Sequence, residues 1–366
     1  MTERQAHIAF NLTEKVGSAT LATLVAKHGS AVKAWETWPK KVSRSGGDVD
    51  WVAEEKTARR FGVKIVTMVD EGYPKMLAGA PGAPLVLYVK GDVAALSRPG
   101  VAMIGTRRAT SYGRGVANRL SYDLAKAGWS IISGLAIGID AESQRGALDA
   151  EGVTVGVIGS GLDRFYPEEN RELAREIVKK GGAVVSEFPF GRSADTTTFP
   201  IRNHVVAALA TGVVAIEAPL KSGTLITTSI AADLGRTVMA VPARVTDRMS
   251  SGCLALLKDG AVPVRGVDDV IEAIGTPPGM FAKDAQGEVD NPVRTDSARD
   301  AETPPYSVEE ALVMTHVDED GVSIDDLVRL TRLPVEKVSS VAMELRIKGF
   351  VKFLPGNRIS LLTQRR

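Results

Sequence analysis

Two adjacent arginines follow a short apolar run in VAMIGTRRATSYG, residues 101–113. The run reads as a buried strand, and the residues after it as a loop entering a helix. α/β proteins commonly bind phosphate at such a junction, because a helix N-terminus offers unpaired N–H groups and a partial positive charge. A dinucleotide binder places glycines there so that backbone can close on the pyrophosphate. This chain places Gly105 and Thr106, then Arg107 and Arg108, whose planar guanidinium forks match phosphate oxygens. For either arginine alone, the competing reading is a carboxylate partner or plain solvation.

The loops after other apolar runs carry related residues. After WSIIS come Ser133, suited to donate a hydrogen bond, and Gly134, suited to close backbone approach. Asp140 in the same stretch reads as a helix cap rather than a catalytic acid. After VTVGVIG, the glycines Gly159 and Gly161 begin like a dinucleotide fingerprint, but Arg164 stands where the third glycine belongs. Arg164 is followed by Phe165 and Tyr166, a cation beside flat rings. That pairing suits single-stranded nucleic acid, where phosphates need cations and unpaired bases need stacking platforms; hydrophobic packing of the loop is the alternative for each ring. Arg202 and Asn203 stand near a helix start in FPIRNHVVAALA, and Lys221, Ser222, Gly223 and Thr224 open another helix suited to phosphate. Thr227 and Thr228 within that helix read as packing residues.

Arg107, Arg108, Arg164, Arg202 and Lys221 are all expected at one rim, since ligands of open parallel sheets bind outside the carboxyl ends of the strands. A mononucleotide needs one or two such cations. Five imply a ligand with several phosphates, or a strand of them.

Other chemistries find little support. The chain has no G-x-S-x-G elbow, no P-loop lysine motif and no paired carboxylates in a telling context. Glu187 and Glu217 at strand ends read equally well as structural acceptors. His7, His28, His204 and His316 are scattered, so no zinc site and no other metal or cofactor is expected. The single cysteine, Cys253, opens an apolar helix; it reads as packing and fits a reducing compartment. Net charge is +1 over 366 residues, so nucleic-acid binding has to be argued from local clusters rather than bulk charge. With no signal peptide and no apolar run of membrane-spanning length, a soluble cytoplasmic protein with no membrane partner is expected.

The elements that position these residues follow from hydrophobic period. Residues 1–60 read as a small helical domain. Over 61–275, near-continuous apolar strands alternate with amphipathic helices, which implies an α/β fold with a doubly wound parallel sheet covered on both faces. Residues 276–305 lack hydrophobic period and read as a linker, disordered by composition. Residues 306–366 give helix, turn around Pro334, helix, then a hairpin across Pro355-Gly356-Asn357, the order of a winged helix. Its second helix offers only Lys337, Arg346 and Lys348, so it reads as a protein-contact module sooner than a major-groove reader.

Taken in order, IGTRRAT, SGLAIGIDAESQRGAL, GSGLDRFYPEEN, SEFPFG, FPIRNHVVAALA and VVAIEAPLKSGTLITTSIAADLGR resemble the DprA/Smf family of DNA-processing proteins, strongly over about 60–275 and loosely in the flanks. The resemblance implies an extended Rossmann-like domain that binds single-stranded DNA without an established catalytic step. It further implies a homodimer through that domain, protection of incoming DNA during natural transformation, and loading of the RecA recombinase. A helical N-terminal domain of the SAM/HhH-like kind and a C-terminal winged helix are frequent companions. Within the family's DNA-binding pattern, Arg107 corresponds to the main phosphate contact, Arg164 and Phe165 to a phosphate and a stacking contact. Arg202 and Asn203 fall in its FP-x-RN motif, and Ser222, Gly223 and Thr224 in its SG-[ST] motif. The chain departs from the pattern at Ile137 and His204, where the family usually has arginine, at Gln144, where it has histidine, and at Ser160, where it has cysteine. Two missing cations imply weaker DNA affinity or a narrower groove.

The alternative function is a nucleotide-binding or nucleoside-monophosphate-processing enzyme or sensor on the related lysine-decarboxylase-like fold. Those enzymes carry a glutamate just after the Gly-Thr helix start, whereas Gly223-Thr224 is followed here by Leu225, Ile226 and Thr227. A nicotinamide-dependent dehydrogenase is disfavoured for want of G-x-G-x-x-G.

Overall fold

The computed structural model describes residues 1–277 and 308–361, apart from 15, 40, 41, 44–46, 319, 320, 332, 348, 349 and 355–357. The expected linker from residue 278 onward, Lys348 and the turn at Pro355-Gly356-Asn357 lie outside the described residues. The chain divides into two compact units, Met1–Gly287 and Glu288–Arg366.

Four helices open the first unit: α1 (Glu3–Leu12), α2 (Ser18–His28), α3 (Ala31–Thr37) and α4 (Trp51–Phe61). Their ends are chemically specified. Thr2 and Gln5 form a reciprocal capping box on α1, and Asp50 accepts from Ala53 N at 2.8 Å to cap α4. These helices do not close a core of their own. Ile8, Phe10, Leu12, Leu21, Trp35 and Ala58 share one cluster with Leu85 and with Ile65, Val86 and Tyr88 of the sheet that follows.

That sheet alternates with helices along the chain. β1 (Lys64–Thr67), α5 (Lys75–Ala78) and β2 (Val86–Gly91) come first. β3 (Gly100–Ile104), α6 (Ser111–Lys126), β4 (Ser130–Ser133), α7 (Ile139–Asp149), β5 (Thr154–Val157), α8 (Arg171–Lys179) and β6 (Ala183–Ser186) follow. α9 (Thr198–Leu209) then leads to β7 (Gly212–Ala215), α10 (Gly223–Asp233), β8 (Thr237–Ala240), α11 (Ser251–Lys258), β9 (Val262–Pro263) and α12 (Val267–Ile274). Among the described residues, the order across the sheet is β1-β2-β6-β5-β4-β3-β7-β8-β9.

From β6 to β9 every pairing is parallel, but β1 and β2 are antiparallel to each other, and β2 is antiparallel to β6. The expectation of a wholly parallel sheet is corrected to this extent. The alternation of apolar runs and helices cannot reveal direction where the intervening helix is only the four residues of α5. The two faces are covered unequally in sequence order. Leu120 and Leu124 of α6, Ile139 and Ala147 of α7 and Val270 of α12 pack on one face. Leu77 of α5, Val205 and Val206 of α9, Ala231 of α10 and Cys253 of α11 pack on the other. The chain moves outward from β3 to β6, returns through α9, and continues from β7 on the far side of β3. The strand order therefore reverses between β3 and β7, where doubly wound sheets open a crevice at the carboxyl edge.

The second unit holds α13 (Val308–Met314), β10 (Val322–Ser323), α14 (Ile324–Thr331), α15 (Val335–Ile347), β11 (Val351–Leu354) and β12 (Arg358–Leu361), with sheet order β10-β12-β11. Leu327, Val338, Val341, Leu345 and Ile359 form its core. The two described cations of α15 are engaged within the unit: Lys337 pairs with Glu309 at 2.9 Å, and Arg346 lies over the Phe353 ring at 5.3 Å.

The N-terminal helices also reach the long loop between β6 and α9. Glu54 of α4 accepts from Phe190 N at 3.0 Å, and Phe61 stacks on the Phe190 ring. Burial pushes the Glu54 carboxyl above its ordinary range; hydrogen bonds from Phe190 and Tyr88 oppose the rise, and nearby Asp163 adds to it. Because the folded value is raised, the stability this group contributes is full below the unfolded value, roughly pH 4.3, and is lost as pH rises through the folded one. Glu54→Gln, which keeps an acceptor for Phe190, is therefore expected to gain stability relative to the parent as pH rises from roughly 4.3 toward neutrality. Urea unfolding of both proteins across that range reads the difference, and a gap independent of pH would contradict the assignment.

Candidate nucleic-acid interface

Because β3, β4, β5 and β7 are parallel neighbours, the loops after them emerge at one edge of the sheet, and α9 begins there. Each loop can therefore be read for what it presents at that edge and what it uses internally.

The β3 loop divides the expectations. Arg107 and Arg108 are exposed, and the Arg107 guanidinium lies over the Phe199 ring of α9 at 4.8 Å. This cation–π contact holds the fork in place with its edge free, at about 0.5–1 kcal/mol for an exposed pair. Thr106 is internal: its N–H donates to the Glu217 carbonyl at 2.7 Å, and its Oγ1 accepts from Arg108 N at 3.1 Å. Gly105 serves packing, because a Cβ there would stand 2.5 Å from Ile139.

The N-terminus of α6 does not await an external anion. Thr110 accepts from Gly113 N at 3.1 Å, and the buried Glu217 carboxylate accepts from Thr110 N at 2.9 Å and from the Thr110 hydroxyl. The crevice between β3 and β7 thus holds an internal carboxylate. The expectation of phosphate on this helix end is corrected: a side chain from the loop after β7, 107 residues beyond Thr110, occupies it.

The β4 loop is corrected more deeply. Ser133 is fully buried and donates its hydroxyl to the Met103 carbonyl at 2.7 Å, so it is spoken for inside the sheet. Asp140 is not the α7 cap, a place held by Gly138; its Oδ2 accepts from Gly134 N at 3.1 Å and from Ala136 N at 3.4 Å. It also lies 3.8 Å from the Arg202 guanidinium. Arg202 is only 7 % exposed, and it donates to the Val157 carbonyl at 3.3 Å. Expected from the sequence as an open rim cation, it is instead the floor of the site. Burial pushes the Asp140 carboxyl up and the Arg202 guanidinium down, each partly restored by the other. Close approach at Gly134 is real, but the approaching group is this guanidinium.

In the β5 loop, Arg164 is exposed, with Asp163 at 3.7 Å. Phe165 is half-buried against the cluster that includes Leu173 and Ile177 of α8, and Arg171 covers its ring at 5.2 Å. Phe165 is thereby withdrawn as the stacking ring; Tyr166 is 48 % exposed and faces Phe199 with ring centres 6.2 Å apart. Gly161 belongs to loop packing, since its N–H donates to the Arg192 carbonyl at 2.8 Å and a Cβ would meet the Pro189 carbonyl at 2.5 Å.

At the start of α10, Lys221 is exposed, Gly223 faces open space and Thr224 is buried. The Ser222 hydroxyl is buried without a hydrogen-bond partner. Asn203 of α9 reaches the Gly223 carbonyl at 3.5 Å and ties the two helix starts together. Of the departures noted in the sequence, Ile137 is exposed at the edge, His204 contacts the Pro81 carbonyl at 2.8 Å, and Gln144 is fully buried.

A recess of about 80 Å³ gathers Arg107, Gly134, Gly159 and Arg202 with Ala136, Ile137, Tyr166, Pro167, Glu169 and Phe199. Phe199 is not singled out by the sequence. Its signal is the spacing to Arg202, three residues on, which shares a face once α9 starts at Thr198. Cys253 is buried, and burial pushes its thiol up to about 11, well away from reactivity. Among the described residues no cluster of metal-ligating side chains occurs, and no helix is long and apolar enough to cross a membrane.

A family profile described as "DNA recombination-mediator protein A" matches residues 64–275, and one described as "DprA winged helix domain" matches residues 297–357. Protein Smf of Synechocystis is 33 % identical over 316 residues, covering 81 % of this chain and 79 % of its own. The chain belongs to the DprA/Smf family. DNA processing protein DprA of Bacillus subtilis is 36 % identical over 59 % of this chain and 73 % of its own. The X-ray structure of DprA from Streptococcus pneumoniae superposes with a TM-score of 0.61 at 28 % identity, over 75 % of this chain and 98 % of that one. Helicobacter pylori DNA processing protein A, described for its single-stranded DNA binding mode, superposes with a TM-score of 0.52 at 31 % identity, over 60 % and 97 %.

Within this DprA/Smf protein the buried pair should be sensitive to one methyl group. A Cβ at Gly134 would lie 1.2 Å from Arg202 Nη1 and 2.6 Å from Asp140 Oδ2. Gly134→Ala is expected to cost about 1–3 kcal/mol in denaturant unfolding, as overpacking of a closed site does. An unchanged midpoint would mean the pair is looser than its geometry.

Proposed function

We propose that this protein is a cytoplasmic, non-enzymatic mediator of recombination that binds single-stranded DNA along the carboxyl edge of the sheet. The observation that carries the reading is the recess itself, where Arg107 lies over the Phe199 ring and shares the lining with the exposed Tyr166 and with Arg202. A cation beside an exposed ring serves a phosphate and a neighbouring unstacked base together. Phosphates meet Arg107, and adjacent ones meet Arg108, Arg164, and Lys221 at the open start of α10. Bases stack on the exposed Tyr166 ring.

Binding without chemistry is supported by the commitment of the buried carboxylates at this edge. Glu217 serves Thr110, and Asp140 serves Gly134, Ala136 and Arg202, so neither is placed to transfer a proton. The DNA-binding mode described for the Helicobacter pylori relative supports the ligand class. The finer role follows the family: a homodimer through the Rossmann-like domain that protects incoming DNA during transformation and loads RecA onto it. The domain boundaries that accompany this reading are residues 1–60, 61–275, 276–305 and 306–366.

Arg107→Ala is expected to weaken binding of a mixed-sequence oligonucleotide on the order of tenfold, and equally across sequences. It should also flatten the salt dependence of log K by about 0.7. Fluorescence anisotropy at several salt concentrations measures both; a variant that binds like the parent would remove Arg107 from the interface.

A further inference from the structure

The exposed cations of the proposed binding edge stand in the order in which the strands lie. Across the sheet the neighbours run β7, β3, β4, β5 and β6. Lys221 follows β7, Arg107 and Arg108 follow β3, and Arg164 follows β5. At about 4.8 Å between neighbouring strands, β7 to β6 spans roughly 19 Å. β6 is parallel to β5, so the loop after it opens at the same edge, one strand beyond Arg164. The arginine of that loop, Arg192, is paired with Asp195. Phe190 of the same loop leads instead to another cation. Phe61, at the end of α4, stacks on Phe190 with ring centres 5.7 Å apart, and the Arg60 guanidinium lies over the Phe61 ring at 5.1 Å. Arg60 is exposed, and among the described residues no carboxylate pairs with it. The arrangement repeats that of Arg107 over Phe199.

The geometry points to Arg60 as a phosphate contact that carries the strand beyond the recess, past the β6 loop and onto the N-terminal helices, resting on the reading that this edge takes single-stranded DNA. Two carboxylates tie the extension to the recess. Asp163 lies 3.7 Å from Arg164 and accepts from Gly191 N at 2.9 Å, so the residue after Phe190 is fixed to the residue before Arg164. Glu54 accepts from Phe190 N at 3.0 Å, so the same loop is fixed to α4. Both acids are thereby engaged with backbone donors. An arginine in the last turn of a helix commonly serves the helix dipole alone. Here that end is closed without it: Gly62 N donates to the Arg59 carbonyl at 3.1 Å, and Lys90 donates to the Phe61 carbonyl. With Phe190 stacked on Phe61 and Arg60 over the ring, this corner offers charge to a phosphate rather than a face to a base.

A dT tetramer has no more phosphates than the edge from Lys221 to Arg164 has exposed cations, whereas a dT 15-mer has phosphates to spare for Arg60. The experiment measures both oligomers by fluorescence anisotropy, from low salt upward, on the full chain and on Arg60→Ala and Arg60→Lys. Arg60→Ala should weaken the 15-mer about three- to fivefold and flatten its salt dependence of log K by about 0.7, with the tetramer unchanged. Arg60→Lys, which keeps the charge, should recover most of the loss. A 15-mer bound by Arg60→Ala as by the parent, an equal loss at both lengths, or a loss in Arg60→Lys as large as in Arg60→Ala would overturn the assignment while leaving DNA binding intact. Failure of the parent to bind the 15-mer would instead overturn the DNA-binding reading, and the role of Arg60 with it.

Discussion

Arg202 and Asp140 form a buried charge pair in a space that exists only because residue 134 has no side chain. Removing two charges from water is costly, and at 3.8 Å their attraction offsets only part of the cost; hydrogen bonds from Gly134 and Ala136 and to Val157 supply more. What the arrangement secures is position. It ties the start of α9 to the loop after β4 and to the end of β5, three segments far apart in the chain. Phe199 and Asn203 follow from that docking, since they lie on the same first two turns, and Arg107 then finds its ring. A displaced Arg202 would release the recess, the aromatic platform and the link to α10 together.

The anions inside this edge are as informative as the cations on it. Glu217 satisfies the start of α6 from within, so the crevice at the switch in strand order is filled rather than left for a ligand. The proposed binding edge is displaced by a strand or two toward β4 and β5. A nucleotide enzyme on a related sheet needs an open crevice and a free acid. Here the buried acids stabilise loops, and the exposed surface is left to guanidinium groups and rings, a division suited to holding a long, flexible polyanion.

The N-terminal helices belong to the same argument. Their core is continuous with β1 and β2, and Glu54 and Phe61 hold the loop around Phe190. That loop is pinned in turn to Asp163 and Gly161, which immediately precede the segment bearing Arg164 and Tyr166. The helical block thus supports the proposed binding edge.

The α/β pattern, the strands from β3 to β8 and the placement of Arg107, Arg164 and Lys221 on carboxyl-edge loops were legible in the sequence, because buried parallel strands read as apolar runs and their loops come directly after them. The motifs, taken in order, also pointed to the family. Directions of β1 and β2 were not legible, since pairing partners lie far along the chain and alternation is blind to polarity. Nor was the sorting of chemically identical residues into binding and structural ones. Arg202 and Arg107 are both arginines beside a helix start, yet one is closed by Gly134 and Asp140 and the other is open. Phe165 and Tyr166 are adjacent rings, and only the packing of α8 turns one inward and leaves the other at the surface. Composition and spacing set which groups are available; burial, a property of the assembled chain, decided which of them face a ligand.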